Sequence, residues 1–436
     1  MRVVIVGNGI AANTAASRVR KLSPHAQVVI LSEEPHSLYS PCVLPNYLGN
    51  EITRDRVFIK KANDYSQQGI KVLFGQRAID LDTSSRSVCL DAGEIPYDRL
   101  ILATGSEPVI PAIDGVDKKG IFTLKSITDA DNVLQHGGTR AVVVGSGPIG
   151  IEVAMALKRR GLRVSLVELL GHILPQAFDQ FPSRQLQTLL EEQGVEVLTN
   201  ETVLHFLGSN SVEAVVTDKR EIESDLVVLA AGMRPKVGLA QRSGIEIGSL
   251  GGIKTDDHML TSAADVYACG DCVQARDRFT GEDSLSLLWH NARQQAEVAG
   301  SCCAGVSKRY PGSLNITLVN IFDIQVVSMG QTSRCLNQNN VEVLERHWKG
   351  SCYGLLISHG ILVGVQLIGK ARDTGILLSA VLRKDGPQGL LRRIFQNRLG
   401  PATIGWHCKR VAHMPPDYDK AAYERYERSI TPSQNE

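Results

Sequence analysis

Two glycine-rich turns of the same kind recur in this chain, each directly after an apolar run. The turn Gly7–Ala12 follows the run at residues 3–6, and the turn Gly145–Gly150 follows the run at 141–144. Glycine lets a strand turn tightly into a helix and lets the backbone approach a pyrophosphate, which the free helix N–H groups then face. Two such turns predict that one chain holds two dinucleotides. The turn residues assigned to binding are Gly7, Gly9, Ala11, Ala12, Gly145, Gly147, Ile149 and Gly150.

An acidic residue near the end of the following strand would accept hydrogen bonds from a ribose. After the second turn this residue is Glu168, which closes an apolar run. A carboxylate there attracts the 2′-hydroxyl of NAD and repels the 2′-phosphate of NADP. Because residues 169–171 contain no arginine to hold a phosphate, NADH is the expected nucleotide. After the first turn the usual position is occupied by Ser32, and Glu33 or Glu34 is expected to serve instead.

The elements that must position these residues repeat along the chain. Residues 1–112 alternate strand and helix patterns, and residues 113–240 repeat the plan. Each half ends in an apolar strand and a glycine turn, at Thr104–Gly105 and at Gly232. The repeat therefore predicts an α/β fold with two Rossmann-like dinucleotide-binding domains.

The pattern changes beyond Tyr310, where strand-like runs occupy residues 314–319, 324–329, 355–357 and 361–368. These runs predict a third domain of mixed α+β type without a nucleotide fingerprint. The tail from about residue 415 is polar and charged, and we expect it to be extended or bound to a partner.

Composition restricts the classes of function. The chain has 436 residues, 43% of them hydrophobic and 21% charged, and a formal net charge of +1. This balance gives no general attraction to nucleic acid or to an anionic membrane, and no apolar stretch is long enough to cross a bilayer. The first strand opens the chain, so we expect no secretory signal. Nine scattered cysteines indicate reduced thiols in a cytoplasmic protein.

The motifs occur in an order that resembles the two-dinucleotide-binding flavoproteins of the pyridine nucleotide-disulfide oxidoreductase type. This family includes glutathione reductase, NADH oxidase, rubredoxin reductase and the NADH-binding part of nitrite reductase. The resemblance covers roughly residues 1–370 and rests on the two glycine turns, Ala103–Gly105 and Tyr267–Asp271. It implies FAD on the first turn, NAD(H) on the second, and a first domain interrupted by the second. The implied parts are 1–112 and 241–308 for FAD, 113–240 for NAD, 309–400 for an interface domain and 401–436 for the tail.

The resemblance also implies roles for residues around the flavin. Asp271, which follows Gly270, would hydrogen-bond the ribityl chain of FAD at the start of a helix. The turn at Thr104 and Gly105 would close over the FAD. Gly232 is the corresponding turn residue at the end of the second domain. The CxxC formed by Cys269 and Cys272 flanks Asp271, and we interpret it as structural rather than redox-active.

Two further residues are implied near the site of hydride transfer. Glu152, two positions after Gly150, would lie near the flavin and contact the nicotinamide carboxamide. Trp289 begins a helical stretch whose N-terminus would point at the flavin pyrimidine and stabilise negative charge there.

Cys42 is the remaining candidate for chemistry. The segment 39–49 is similar to the single-cysteine segment of NADH oxidase, NADH peroxidase and coenzyme A disulfide reductase, where a thiolate beside the flavin attacks a disulfide or peroxide. This chain departs from that pattern, because Ile10 replaces a histidine and Val43 replaces a glycine. A tyrosine segment has no clear counterpart after residue 370, and the CxxxxC pair is missing. Cys42 therefore borders the flavin in this interpretation, with its redox role open.

Three hypotheses follow. The first is an FAD oxidoreductase that moves hydride between NAD(H) and FAD and exchanges electrons with a ferredoxin- or rubredoxin-like iron–sulfur protein, or with a subunit of a larger redox complex. The second is a coenzyme A disulfide or polysulfide reductase, or an NADH oxidase, that uses Cys42. The third is an NADH-binding flavoprotein with a structural or signalling role.

A basic stretch near the end of the chain supports docking of an acidic iron–sulfur partner. Both a homodimer and a hetero-complex are compatible with it. Two acidic residues, Asp373 and Asp385, accompany its basic residues, which are Lys370, Arg372, Arg383, Lys384, Arg392, Arg393, Arg398, Lys409 and Arg410.

Overall fold

The computed structural model describes residues 1–91, 93–322, 324–336, 341–348, 351–370, 374–386 and 407–410. Its helices are α1 Ile10–Leu22, α2 Leu44–Leu48, α3 Ala62–Gln67, α4 Ile127–His136, α5 Pro148–Arg159, α6 Gln180–Glu192, α7 Gly238–Arg242, α8 Trp289–Cys303 and α9 Thr374–Arg383. Short 3-10 helices lie at Pro41–Val43, Arg54–Val57 and Ser333–Cys335.

The strands of the first half are β1 Arg2–Val6, β2 Gln27–Ser32, β3 Ile70–Phe74, β4 Ala78–Asp82, β5 Ser87–Leu90, β6 Gly93–Pro96, β7 Arg99–Leu102, β8 Ser106–Pro108, β9 Ile121–Phe122, β10 Arg140–Val144, β11 Arg163–Glu168, β12 Val195–Thr199 and β13 Val203–Leu207. Those that follow are β14 Ala214–Thr217, β15 Glu221–Glu223, β16 Leu226–Leu229, β17 Met233–Pro235, β18 Ile253–Lys254, β19 Val266–Ala268, β20 Val273–Arg276, β21 Asp283–Ser284, β22 Ile316–Ile321, β23 Ile324–Gly330, β24 Val341–Trp348, β25 Ser351–Ser358, β26 Ile361–Gly369 and β27 His407–Arg410.

The chain divides into two compact units. One unit contains Met1–Leu169 and Gly194–Leu314, and the other contains Leu170–Gln193 and the described residues after Leu314. Both parallel sheets belong to the first unit, and helix α6 belongs to the second.

The first parallel sheet has the strand order β19-β7-β1-β2-β3. Its apolar runs are buried along nearly their whole length, as expected for parallel strands covered on both faces. Strand β19 joins β7 in parallel although the entire second sheet lies between them in sequence. The first domain is therefore interrupted by the second, as the resemblance implied.

The second parallel sheet, β12-β11-β10-β16-β9, follows the same plan. A three-stranded antiparallel sheet accompanies each, β4-β5-β6 in the first and β13-β14-β15 in the second. The registers make the two strand ends equivalent, because Val6 pairs with Leu31 and Val144 pairs with Val167. The next residues along these neighbouring strands are Ser32 and Glu168.

The second unit contains a six-stranded antiparallel sheet with the order β22-β23-β26-β25-β24-β27 and the helices α6 and α9. The predicted third α+β domain is confirmed, and four of its strands coincide with the runs noted in the sequence. Residues 411–436 of the polar tail, together with Arg372, Arg392, Arg393 and Arg398 of the basic stretch, lie outside the described residues. Within the described ranges, no helix combines the length and apolarity needed to cross a bilayer.

Candidate active site

The first glycine turn joins β1 to α1 and leaves an open helix N-terminus. Gly7 has φ +110°, and a Cβ on it would lie 2.1 Å from the carbonyl oxygen of Ala103. Gly9 is the N-cap of α1, with no side chain capping the helix. A Cβ on Gly9 would have no atom within 4 Å. The turn therefore excludes side chains on its inner side and presents uncapped N–H groups to open space.

The second turn repeats this geometry between β10 and α5. A Cβ on Gly145 would lie 2.4 Å from the Ala230 carbonyl oxygen, and one on Gly150 would lie 1.9 Å from the Gly145 carbonyl oxygen. Gly147 caps α5 without a side-chain hydrogen bond, and a Cβ there would again meet nothing within 4 Å. Both turns thus fit a pyrophosphate, which needs close backbone approach and free helix N–H groups.

The two strand ends differ in their acidic groups. Glu168 is buried, and its Oε2 accepts hydrogen bonds from the Ser146 N–H at 2.9 Å and from the Ser146 hydroxyl at 2.5 Å. Glu33 is half exposed and pairs with the ammonium of Lys236 at 2.7 Å. That hydrogen bond is the main cause that lowers the pKa of Glu33. The Glu34 carboxylate accepts a hydrogen bond from the Tyr39 hydroxyl at 2.8 Å.

The Tyr267–Asp271 segment lies directly against the first turn. Gly270 has φ +86°, and a Cβ there would approach the Cβ of Ala11 to 2.9 Å. The Asp271 Oδ2 accepts a hydrogen bond from the Ser106 hydroxyl at 2.8 Å and lies 3.6 Å from the Lys125 ammonium. Lys125 also donates to Ser106 at 3.0 Å.

Neither Ser106 nor Lys125 is among the residues predicted from the sequence. Ser106 directly follows the Thr104–Gly105 turn, and this adjacency was the available signal. Lys125 is held through its backbone N–H, which donates to Asp129 Oδ2 at 2.8 Å in the capping box that starts α4. A local capping motif does not reveal a distant ionic partner. No feature of the sequence therefore indicates that Lys125 lies beside Asp271.

Cys42, Glu152 and Trp289 come from three separate elements. Cys42 is exposed in the 3-10 helix that precedes α2. Although the residue is exposed as a whole, desolvation of the thiol by the surrounding protein raises its pKa. A Ser40 hydrogen bond lowers that pKa, and the carboxylate of Glu152, on α5, raises it. Trp289 is the first residue of α8, which has no side-chain cap.

The thiols of Cys269 and Cys272 are fully buried and free. Cys272 donates to the carbonyl oxygens of Cys269 and Leu102, at 3.4 Å and 3.6 Å. Burial raises the pKa of both thiols. Burial of both thiols and the bonding of Cys272 to backbone carbonyls agree with a structural role for this CxxC.

Two parallel sheets, in each of which one strand leads into an open glycine turn, define a protein of the two-dinucleotide-binding class. The chain matches the model of the pyridine nucleotide-disulphide oxidoreductases over residues 1–296, and it belongs to this family. A relative is the NADH oxidase of Methanocaldococcus jannaschii, 34% identical over 355 residues that make up 79% of each chain.

Two other relatives differ in size and chemistry. The assimilatory nitrate reductase electron transfer subunit of Bacillus subtilis is 31% identical over 88% of this chain and 49% of that protein, so this chain spans about half its length. The structure of an NAD-dependent persulfide reductase from A. fulgidus has a TM-score of 0.87 and 25% identity, and covers 98% of this chain and 84% of that one. The chain is an NADH-dependent FAD oxidoreductase, and the predicted cofactors FAD and NAD are confirmed.

Proposed function

We propose that this protein moves hydride between NAD(H) on the Gly145–Gly150 turn and FAD on the Gly7–Ala12 turn, and that its electron partner is an iron–sulfur protein or subunit. The observation that carries the proposal is the pair of open, uncapped helix N-termini in one unit. When bound, FAD supplies hydride acceptance from nicotinamide and single-electron release, which suits an iron–sulfur partner.

The residues around the first turn support an FAD site. Asp271 would accept hydrogen bonds from the ribityl chain, while Ser106 and Lys125 hold its Oδ2. Either Glu33 or Glu34 would accept hydrogen bonds from the adenosine ribose of FAD. The uncapped N-terminus of α8 would place positive partial charge at the flavin pyrimidine.

The residues around the second turn would receive the nicotinamide nucleotide. Glu168 would bond the adenosine ribose, and Gly232 would border the cleft opposite the turn. Glu152 would meet the carboxamide and keep the ring in place. Together these residues bind and orient, which brings the two reacting rings together and accounts for much of the rate enhancement.

Similarity to an electron transfer subunit supports an electron-transfer partner. Of the basic stretch, Lys370 and Lys384 are exposed in the second unit, whereas Arg383 pairs with Asp385 at 2.7 Å. Exposed lysines attract an acidic partner and accelerate association at low ionic strength.

The test is anaerobic mixing of the holoprotein with NADH, followed by an oxidised, acidic ferredoxin-like protein. We expect NADH to bleach the flavin quickly, and ferredoxin reduction to slow as salt increases. Lys370→Glu with Lys384→Glu should slow only the second step, whereas Lys71→Glu, an exposed lysine of the first unit, should not. Fast bleaching without any salt-dependent transfer to iron–sulfur acceptors would overturn the partner assignment.

A second candidate function is thiol-based reduction of a persulfide or a coenzyme A disulfide. It is favoured by similarity to the persulfide reductase and by the exposure of Cys42. The raised pKa of this thiol opposes it, because the thiolate is the nucleophile. Cys42→Ser separates the two functions: loss of disulfide turnover would establish the thiol route, and unchanged transfer to the iron–sulfur acceptor would exclude Cys42 from that transfer.

A further inference from the structure

Ser146, the second residue of the Gly145–Gly150 turn, is joined to Glu168 by two hydrogen bonds. Its N–H and its hydroxyl both reach the same carboxylate oxygen, Oε2, at 2.9 Å and 2.5 Å. Ser146 is completely buried, and Glu168 is 7% exposed. Hydrogen bonds to an ionised acceptor are among the stronger ones in proteins. The position of this carboxylate is therefore fixed by the nucleotide turn itself.

The equivalent positions of the first turn are built differently. Asn8 corresponds to Ser146, and its side chain donates to the His36 carbonyl oxygen at 3.1 Å. Ser32 corresponds to Glu168, and its hydroxyl donates to the Glu34 carbonyl oxygen at 2.7 Å. The serine–carboxylate pair thus belongs to the second turn and is not a general requirement for building such a turn in this chain.

We infer that Ser146 is a positioning residue for nucleotide specificity: its hydroxyl orients the Glu168 carboxylate so that the site selects NADH over NADPH. The inference rests on the proposed placement of NAD(H) at this turn. A fixed carboxylate bonds the 2′-hydroxyl of NADH at little entropic cost and cannot turn away from the 2′-phosphate of NADPH. A carboxylate released from Ser146 would be free to rotate. It would then bind the 2′-hydroxyl of NADH less well and repel the 2′-phosphate of NADPH less strongly.

The test compares flavin reduction by NADH and by NADPH in Ser146→Ala, which keeps the N–H and removes the hydroxyl. We expect the ratio of kcat/KM values to fall about tenfold, mainly through KM for NADH, with the saturated reduction rate unchanged. Ser165→Ala is the matched control, because the Ser165 hydroxyl donates to the Glu196 carboxylate at 2.6 Å in the same sheet. Its ratio should equal that of the unaltered protein, and full flavin content would show that each variant folds.

A double-mutant cycle with Glu168→Ala separates the possible failures. If Ser146 acts through Glu168, then Ser146→Ala should leave the ratio unchanged in the Glu168→Ala background. If Glu168→Ala alone does not alter the ratio, the proposed nucleotide site is wrong. If Glu168→Ala alters the ratio and Ser146→Ala does not, or Ser146→Ala acts equally in both backgrounds, the site stands and the inference about Ser146 is wrong.

Discussion

Glu152 is a carboxyl group in a setting that disfavours its charge. It lies on α5, makes no ion pair within the described ranges, and burial raises its pKa to about 7. The carboxyl is therefore neutral below that pH and anionic above it. In the proposed complex Glu152 would lie near the flavin, where its anion would oppose the negative charge that arrives with hydride. We expect the rate of flavin reduction by NADH to fall, by about tenfold, as pH rises through 7.

Glu152→Gln should remove this inflection and keep the low-pH rate, because the amide stays neutral. The same shift predicts an effect on stability. The folded state binds the proton more tightly than the unfolded state, so stability should fall as pH rises from about 4.5 to 7, and the variant should lose this slope. An unaltered inflection in the variant would assign the titration to another group.

Lys125 gives a second prediction at this scale. Lys125→Met removes the cation opposite Asp271 and leaves that carboxylate its hydrogen bond from the Ser106 hydroxyl. We expect FAD to bind about tenfold more weakly, measured by titration of the apoprotein, since the carboxylate is less firmly placed. Lys125→Arg keeps the charge and should stay within about threefold of the original affinity. Equal weakening in both variants would show that the exact position of the ammonium, and not its charge alone, matters.

At the scale of elements, the two glycines that flank the start of α5 predict opposite phenotypes. A Cβ on Gly150 would collide with the Gly145 carbonyl, so Gly150→Ala should lower the free energy of unfolding by about 1–3 kcal/mol. Gly147 faces open space with φ −64°, so Gly147→Ala should leave stability nearly unchanged and weaken NADH binding at least tenfold by obstructing the pyrophosphate. Chemical denaturation and NADH titration measure the two effects. Destabilisation by Gly147→Ala would contradict an open cradle.

The elements around the glycine turns could be predicted from the sequence, whereas contacts between distant residues could not. The strand–turn–helix units were predictable because an apolar run, a glycine turn and the helix that follows are all local. Ser106 and Lys125 were not predictable as partners of Asp271, since only the folded chain brings them together. Strand β24 was also missed, because Glu342 and Glu345 interrupt its apolar residues and leave no continuous apolar run, although Glu345 is buried in the sheet.

At the scale of the whole molecule, both nucleotide turns lie in one unit and the six-stranded sheet lies in the other. Separate hydrophobic clusters occupy them: Val142 and Val167 belong to a cluster of the first unit, and Val343 and Leu356 to a cluster of the second. A ligand that binds the native state stabilises the unit that holds it, by about 2.7 kcal/mol at one hundred times its Kd. Calorimetry of the FAD-loaded protein should therefore show NAD raising the Tm of the first unit by about 4–5 °C and leaving the other transition in place. Gly147→Ala should at least halve the rise, because a tenfold weaker affinity leaves about 1.4 kcal/mol of stabilisation at the same NAD concentration. A single transition that NAD moves as a whole would show that the two units unfold together.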